Sequence, residues 1–532
     1  MITQPFQKRA FDAVAGALPF ALDESKVSVT DGVAYVKSPV KVHDYAVGVM
    51  AVYGLLIERI GVMRGLPAQT LRLNRRLSGL LLNSGQMQFM NGYSCFLDTW
   101  PVGPDNGTFR AKDGRYVTMI GLFPHLRDAI LDYLECANSA AAIQRAVERR
   151  TAQELEDGMA ARRLPAGIVR SLDEWLSLPQ GAQTAARPMF DLEQVAGGGR
   201  RRLGPARHRP LEGLRVVELT HLVAGPTVGR MLAEQGAEVI TVQAPTGDWV
   251  LPLWLDVNWG KKSVLLDLKG QLGKARLAKL LAGADVLVDS YGPGSLERLG
   301  LDVATLQALN PNLVYTRVSY AAPGTPWADR KGFEQIGQAV SGVMHANSVG
   351  MPDPTLVSVL LNDYVTGYLG AVATLAALIE REDKGGFWRA GASLSRCATF
   401  AASLVAPLED EPYAPCTLQD LIDFGVDQDS PLGTFTRLGP AVEFSATPSA
   451  FDLPITIPGA YPDHTSWSEA AAPAVLPPLQ QIPSRLARLG AIRNFVVGHG
   501  IEDRGDGGGV LSLASRSLFE LVTAARRAEA SA

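Results

Sequence analysis

From residue 211 onward, short apolar runs alternate with amphipathic stretches of ten or so residues. "LRVVEL" (214–219), "AEVITV" (237–242), "KSVLLDL" (262–268), "ADVLVDS" (284–290) and "NLVYTRVSY" (312–320) have the length and apolar density of buried strands. "TVGRMLAEQG", closed by Gly236, and "GKARLAKLLAGA" have the helical period. This alternation predicts βαβ units and an α/β fold: a doubly wound, mostly parallel sheet. Residues 41–182 are mostly helical in pattern, with a strand expected in "DGRYVTMIGL" (113–122), and suggest a smaller α+β domain. Residues 1–40 read as an N-terminal extension. Residues 183–210, rich in Gly, Pro and Arg and without a period, read as a solvated linker. The sheet domain spans 211–400, and the Pro- and Gly-rich 401–532, including a glycine run at 507–509, reads as mostly loop.

Two segments echo one another. "HDYAVGVMAVYGLLIER" (43–59) and "NDYVTGYLGAVATLAALIER" (362–381) both begin Asp-Tyr-x-x-Gly and close on Ile-Glu-Arg. Matched ends on two apolar helices point to a duplicated or shared element rather than coincidence. The longest apolar run, "GYLGAVATLAALI" (367–379), falls short of the ~18–20 residues of a bilayer span, so no membrane is expected.

A net charge of −4 supplies no field for nucleic acid. Cys95, Cys136, Cys397 and Cys416 are scattered without metal-like spacing, as reduced thiols in a cytoplasmic setting would be. No zinc set and no GxSxG turn is present. Asp12 interrupts the apolar run of a would-be secretory leader; the same stretch is poor in Arg, and import into mitochondria stays open as an alternative.

The first βα turn, "THLVAGPTVG", lacks the GxGxxG that lets a pyrophosphate approach the backbone, and Gln243 stands where a ribose-binding acid belongs. Dinucleotide oxidoreduction is therefore disfavoured, although the helix start near Pro226 can still face an anion. Asp363, ahead of an apolar helix, reads on its own as an N-cap.

Several consecutive motifs carry a resemblance. "LEGLRVVELTHLVAGPTVGRMLAEQGAEVITVQAPTGD", "NWGKKSVLLDLKGQLGKARLAKLLAGADVLVDSYGPGSLERLGLD", "LNPNLVYTRVSYAAPGTPWADRKGFEQIGQAVSG" and "VLLNDYVTGYLGAVATLAALIER" occur in the order found in family III CoA-transferases. That family (CaiB/BaiF) includes formyl-CoA transferases and α-methylacyl-CoA racemases. "DGRYVTM" and "RTAQELEDGMAARRLPAGIVRSLDEWLSLPQG" resemble its later, smaller domain, so the order here is permuted or partly duplicated. The resemblance implies CoA transfer from an acyl-CoA to a carboxylic acid, with coenzyme A as substrate and no permanently bound cofactor. It implies Asp363 as the carboxylate nucleophile, forming an anhydride and then a thioester. Lys261, Arg298 and Lys331 correspond to CoA-contacting cations, and His221, Val223 and Ala224 to the first loop against CoA. Asp44 reads as a relic cap. The family's glycine-rich lid has no counterpart, "DKGGFWRAG" following the nucleophile helix instead. The alternatives are a racemase-type isomerase, for which Gly332–Gln335 lacks the expected His, and a non-catalytic CoA-binding homologue. The family's homodimers predict a second copy as partner, or a single chain that mimics the pair.

Overall fold

The computed structural model describes residues 2–96, 103–245, 249–461 and 467. A first helix, Pro5–Ala15, packs on α1 (Val42–Met63). α1 is apolar enough, at 22 residues, to cross a bilayer, but most of it is buried inside the protein. The expectation that no segment reaches that length is therefore corrected. Polar groups cluster at the two ends of α1 (His43, Asp44 and Glu58), leaving an apolar middle that covers other helices.

The main sheet draws on both parts of the chain. Its strands are β1 (Asp191–Ala196) and β2 (Arg215–Leu219), the latter followed by α2 (Ala224–Glu234). Then come β3 (Glu238–Gln243), β4 (Lys261–Leu265), α3 (Gln271–Gly283), β5 (Val286–Asp289) and β6 (Val314–Ser319). α4 (Glu334–Ser341), α5 (Leu361–Lys384) and β7 (Phe387–Ser393) complete it. The spatial order is β4-β3-β2-β5-β6-β7-β1, parallel except where β1 runs antiparallel to β7. Each predicted strand from 214 to 320 falls on one of these.

Side chains of successive strand residues point to opposite faces. Val216, Val239, Val286 and Val314 pack into the core that includes Val228, Met231, Leu369 and Val372. Val217, Ile240, Leu287 and Tyr315 join Leu277, Leu280 and Leu306 on the other side. Both faces are covered, which is why these strands read as continuous apolar runs rather than alternating ones. α2 and α5 approach so closely that a Cβ on Gly367 would lie 2.6 Å from Thr227 Cβ and 2.8 Å from the Ala224 carbonyl.

Residues 183–210 are not a solvated linker. They hold the end of the helix Pro179–Ala186 and all of β1, whose edge position needs only one partner. Arg64, just past α1, donates to the carbonyls of Leu203, Gly204, Pro210 and Glu212, and Arg201 pairs with Asp285. Periodicity fails there because ordering comes from arginine–carbonyl bonds.

A smaller α+β unit consists of antiparallel strands Asn106–Arg110, Tyr116–Ile120 and Ala166–Ile168 with helices Pro124–Leu134, Ala140–Val147 and Ala152–Ala161. It docks on α4, where the Arg170 amide donates to Ala339 O at 3.0 Å. Beyond 400 the chain is more regular than its composition suggested: helix Leu418–Phe424 leads into a hairpin, Gly425–Ser430 with Gly433–Leu438. Its first strand is polar (Asp427, Gln428, Asp429), so an apolar pattern could not reveal it. The glycine run at 507–509 lies outside the described residues.

Candidate functional site

The sheet reverses direction between β2 and β5, and loops at the carboxyl ends of strands part there to form a crevice. Leu222 lies in the first of these loops at φ +64°, a left-handed conformation unusual for a branched residue, which turns the chain from β2 into α2 without a glycine. A groove of about 500 Å³ follows the strand ends. His221, Val223 and Ala224 line it after β2, Gln243 at the end of β3, Ser290 to Pro293 after β5, and Arg317 to Tyr320 at the end of β6. Phe123 and His125 of the α+β unit close it, the Phe123 ring lying 5.1 Å from that of His221.

Asp363 lines the groove. It is the third residue of α5, whose N-cap, Leu360, makes no side-chain cap. The capping role belongs instead to Glu334 on α4. Its buried carboxylate accepts the Asp363 amide at 2.7 Å, Asn362 Nδ2 at 3.0 Å and Gln338 Nε2 at 2.8 Å. With its amide served from outside, the Asp363 side chain is left to face the cavity, and its carboxylate accepts no hydrogen bond from a described residue. The reading of Asp363 as a self-contained N-cap is thereby overturned. Loss of water pushes its pKa up to about 7. Glu334 is raised well above the usual range, first by burial and then by the Asp363 charge.

Lys331 lines the groove and has no hydrogen-bond or ion-pair partner among the described residues. Its pKa is lowered, first by burial and then by the positive charges of Arg163 and Arg298. Arg163 Nη2 and Arg298 Nη1 both donate to Pro293 O, at 3.0 and 3.3 Å, so the three cations gather at one rim of the groove. Arg298 and Lys331 are thus brought together as the resemblance implied. Arg163 was missed. It comes from the α+β unit, inside the quoted run "MAARRLPAG", and only the docking of that unit shows where it points. Glu334 was missed for a related reason: its role depends on α4 crossing the start of α5.

Lys261 is a correction. Its ammonium is wholly buried, donating to Glu218 Oε2 at 2.8 Å and to Pro226 O at 2.6 Å, and it lines no part of the groove. Burial brings its pKa down to about 8 against the pull of Glu218, whose own is raised by burial. It ties β4 to β2 and the first turn of α2 and meets no outside anion.

Asp44 occupies the third position of α1, as Asp363 does of α5. Its surroundings differ. Arg75 grips it with two bonds, at 2.7 and 2.8 Å, and Gln7 adds a third at 2.9 Å. Burial opposes ionisation, but the Arg75 bonds and charge outweigh it and hold Asp44 below the usual carboxylate range. Glu411, paired with Lys41 and Arg75, completes a neutral network. Among the described residues, no His, Cys, Asp and Glu side chains gather as a metal-ligand set.

Residues 211–401 match the family model described as CoA-transferase family III. Among curated relatives, an acetyl-coenzyme A transferase of Hypoxylon pulicicidum is 37% identical over 193 residues, covering 35% of this chain and 32% of that protein. The alpha subunit of a succinyl-CoA–L-malate CoA-transferase of Chloroflexus aurantiacus is 34% identical over 224 residues, covering 39% of this chain and 50% of that protein. A crystal structure of a CaiB/BaiF family protein from Brucella suis is 29% identical with a TM-score of 0.35, covering 43% of this chain and 65% of that one. The chain thus spans 32% to 50% of the length of these curated relatives.

Proposed function

We infer that this chain, whose residues 211–401 are a CoA-transferase family III segment, moves coenzyme A from an acyl-CoA to a carboxylic acid with Asp363 as nucleophile. The observation that carries the reading is a desolvated carboxylate, free of hydrogen bonds from the described side chains, at the junction of a cation-rimmed groove and an inner cavity.

In the forward half, an Asp363 carboxylate oxygen attacks the thioester carbon, the C–S bond breaks, and CoA leaves as thiolate with an aspartyl–acyl anhydride remaining. The thiolate then attacks Asp363 Cγ and releases the first acid as carboxylate, leaving an aspartyl-CoA thioester. The acceptor carboxylate reverses these steps. No proton is gained or lost overall, so the site's tasks are desolvation and positioning. The position of Asp363 in the first turn of α5 favours its ionised form and any negative charge developing beside it. Glu334 acts as a positioning residue through the Asp363 amide.

Lys331, Arg298 and Arg163 suit the phosphates of CoA, with His221, Val223 and Ala224 against its pantetheine arm. Part of the wall comes from residues between 106 and 126, so the N-terminal portion completes the site of its own chain. That favours a single chain acting as the family's pair does, with 41–182 as a transposed later half. The equal placement of Asp44 and Asp363 supports the same history. The isomerase alternative lacks its expected His at Gly332–Gln335, and His345 is exposed and lines neither cavity; His125 and His221 line the groove with Asp363, and α-proton exchange is the assay that tests them.

Exchange of labelled CoA between two acids tests the proposal. The parent should exchange, and Asp363→Asn should lose at least about 10³-fold, as when a covalent nucleophile is removed. Full exchange by Asp363→Asn, or α-deuterium uptake by a chiral acyl-CoA without exchange, would remove it.

A further inference from the structure

Asp363 also lines a second space, which shares Leu222, Val223 and Phe333 with the groove. This inner cavity, about 180 Å³, is more enclosed than the groove and lies between the α+β unit and the loop before α5. Ile120, Leu222, Leu253, Phe333, Leu356 and Leu360 supply most of its wall. Its polar lining is neutral apart from Asp363: Asn106, Thr108, Thr118 and Gln335. Thr108 Oγ1 and Thr118 Oγ1 lie 2.9 Å apart in one hydrogen bond, which consumes one of their two hydroxyl hydrogens and leaves the other for a guest. No Lys, Arg or His among the described residues lines this space, whereas the groove holds Lys331, Arg317 and Arg330.

We propose that the inner cavity holds the acyl group, and that it selects uncharged acyl chains of about four to six carbons over those ending in a second carboxylate. The inference rests on the transferase reading, since a thioester carbon at Asp363 must send CoA one way and its acyl group the other. The cationic groove takes the phosphates, leaving the neutral cavity for the acyl chain. A cavity of about 150 Å³ accommodates a benzene-sized guest, which sets the length. A terminal carboxylate here would be desolvated without a cation, a loss of about tenfold to a hundredfold in affinity. A hydroxyl part-way along the chain is tolerated, because the Thr108–Thr118 pair has a hydrogen and lone pairs to offer. The walls at 106–122 belong to the α+β unit and those at 222–363 to the matched family segment, so both parts of the chain shape the selectivity.

The test is titration calorimetry on the full-length Asp363→Asn protein, which cannot turn over, with CoA, butyryl-CoA, isovaleryl-CoA and succinyl-CoA. The two neutral thioesters should bind about tenfold or more tighter than succinyl-CoA. Leu356→Arg, which puts a cation into the wall at a partly buried position, should narrow or invert that ratio. Equal or tighter binding of succinyl-CoA overturns the inference while leaving the transferase reading intact. No binding of CoA or of any thioester overturns both.

Discussion

Asp363 and Asp44 occupy the same position on two similar helices, and their neighbours give them opposite chemistry. One is desolvated and unpaired, with a pKa of about 7; the other is clamped by Arg75 and held ionised. Because the folded value of Asp363 lies above the ~3.9 of an unfolded Asp, the unfolded chain ionises first. The stability linked to this group is complete below about pH 4 and is lost as pH rises through 7. Asp363→Asn should therefore match the parent at pH 4 and exceed it by on the order of 2 kcal/mol at pH 8, after allowance for partial exposure, in urea unfolding at each pH. Transfer by the parent should rise with pH through an inflection near 7 as the nucleophile ionises. Asp44→Asn should keep transfer and unfold more easily, losing about 3 kcal/mol by leaving Arg75 and Lys41 facing Glu411 alone. Lys261→Ala belongs with it: we expect a loss of about 3–5 kcal/mol from an unpaired buried Glu218, with the KM for acyl-CoA unchanged. A raised KM without loss of stability would restore Lys261 to the CoA site.

Among the elements, the main-sheet strands between 214 and 320 were legible because each carries a short apolar run between turn signals, whereas β7, with Arg389, Gly391 and Ser393 among its seven residues, was not. The edge strand β1 and the hairpin at 425–438 were not, because an edge or a surface hairpin needs little apolar content. The same holds within the site. Asp363, Lys331, Arg298, Glu334 and Arg163 all lie in the motifs that carry the resemblance, but Glu334 and Arg163 matter only through what packs beside them. Lys261 shows the converse: a motif position fixes a place on the strand but not whether its ammonium faces solvent or Glu218. The cation rim makes its own prediction. Lys331→Ala should raise the KM for acyl-CoA by about tenfold with kcat little changed, and Arg163→Ala should do likewise although it comes from a distant part of the chain. Both effects should shrink as salt increases.

For the molecule as a whole, the N-terminal portion is structural as well as a wall of the site. α1 covers α5, β1 completes the sheet, Tyr53 Oη donates to Met231 O at 2.8 Å, and Trp175 Nε1 to Thr399 Oγ1 at 2.9 Å. Residues 197–461 expressed alone should expose the apolar surface of α5 and aggregate, and co-expression with residues 1–196 should restore a soluble, active pair. A soluble and fully active 197–461 fragment would show that the N-terminal portion completes nothing.

All of this depends on a covalent link at one carboxylate. After incubation of the parent with an acyl-CoA and quenching in hydroxylamine, peptide mass spectrometry should find a hydroxamate at Asp363 and none at Asp44. Turnover with Asp363 unmodified, or with the hydroxamate at another residue, would contradict the account.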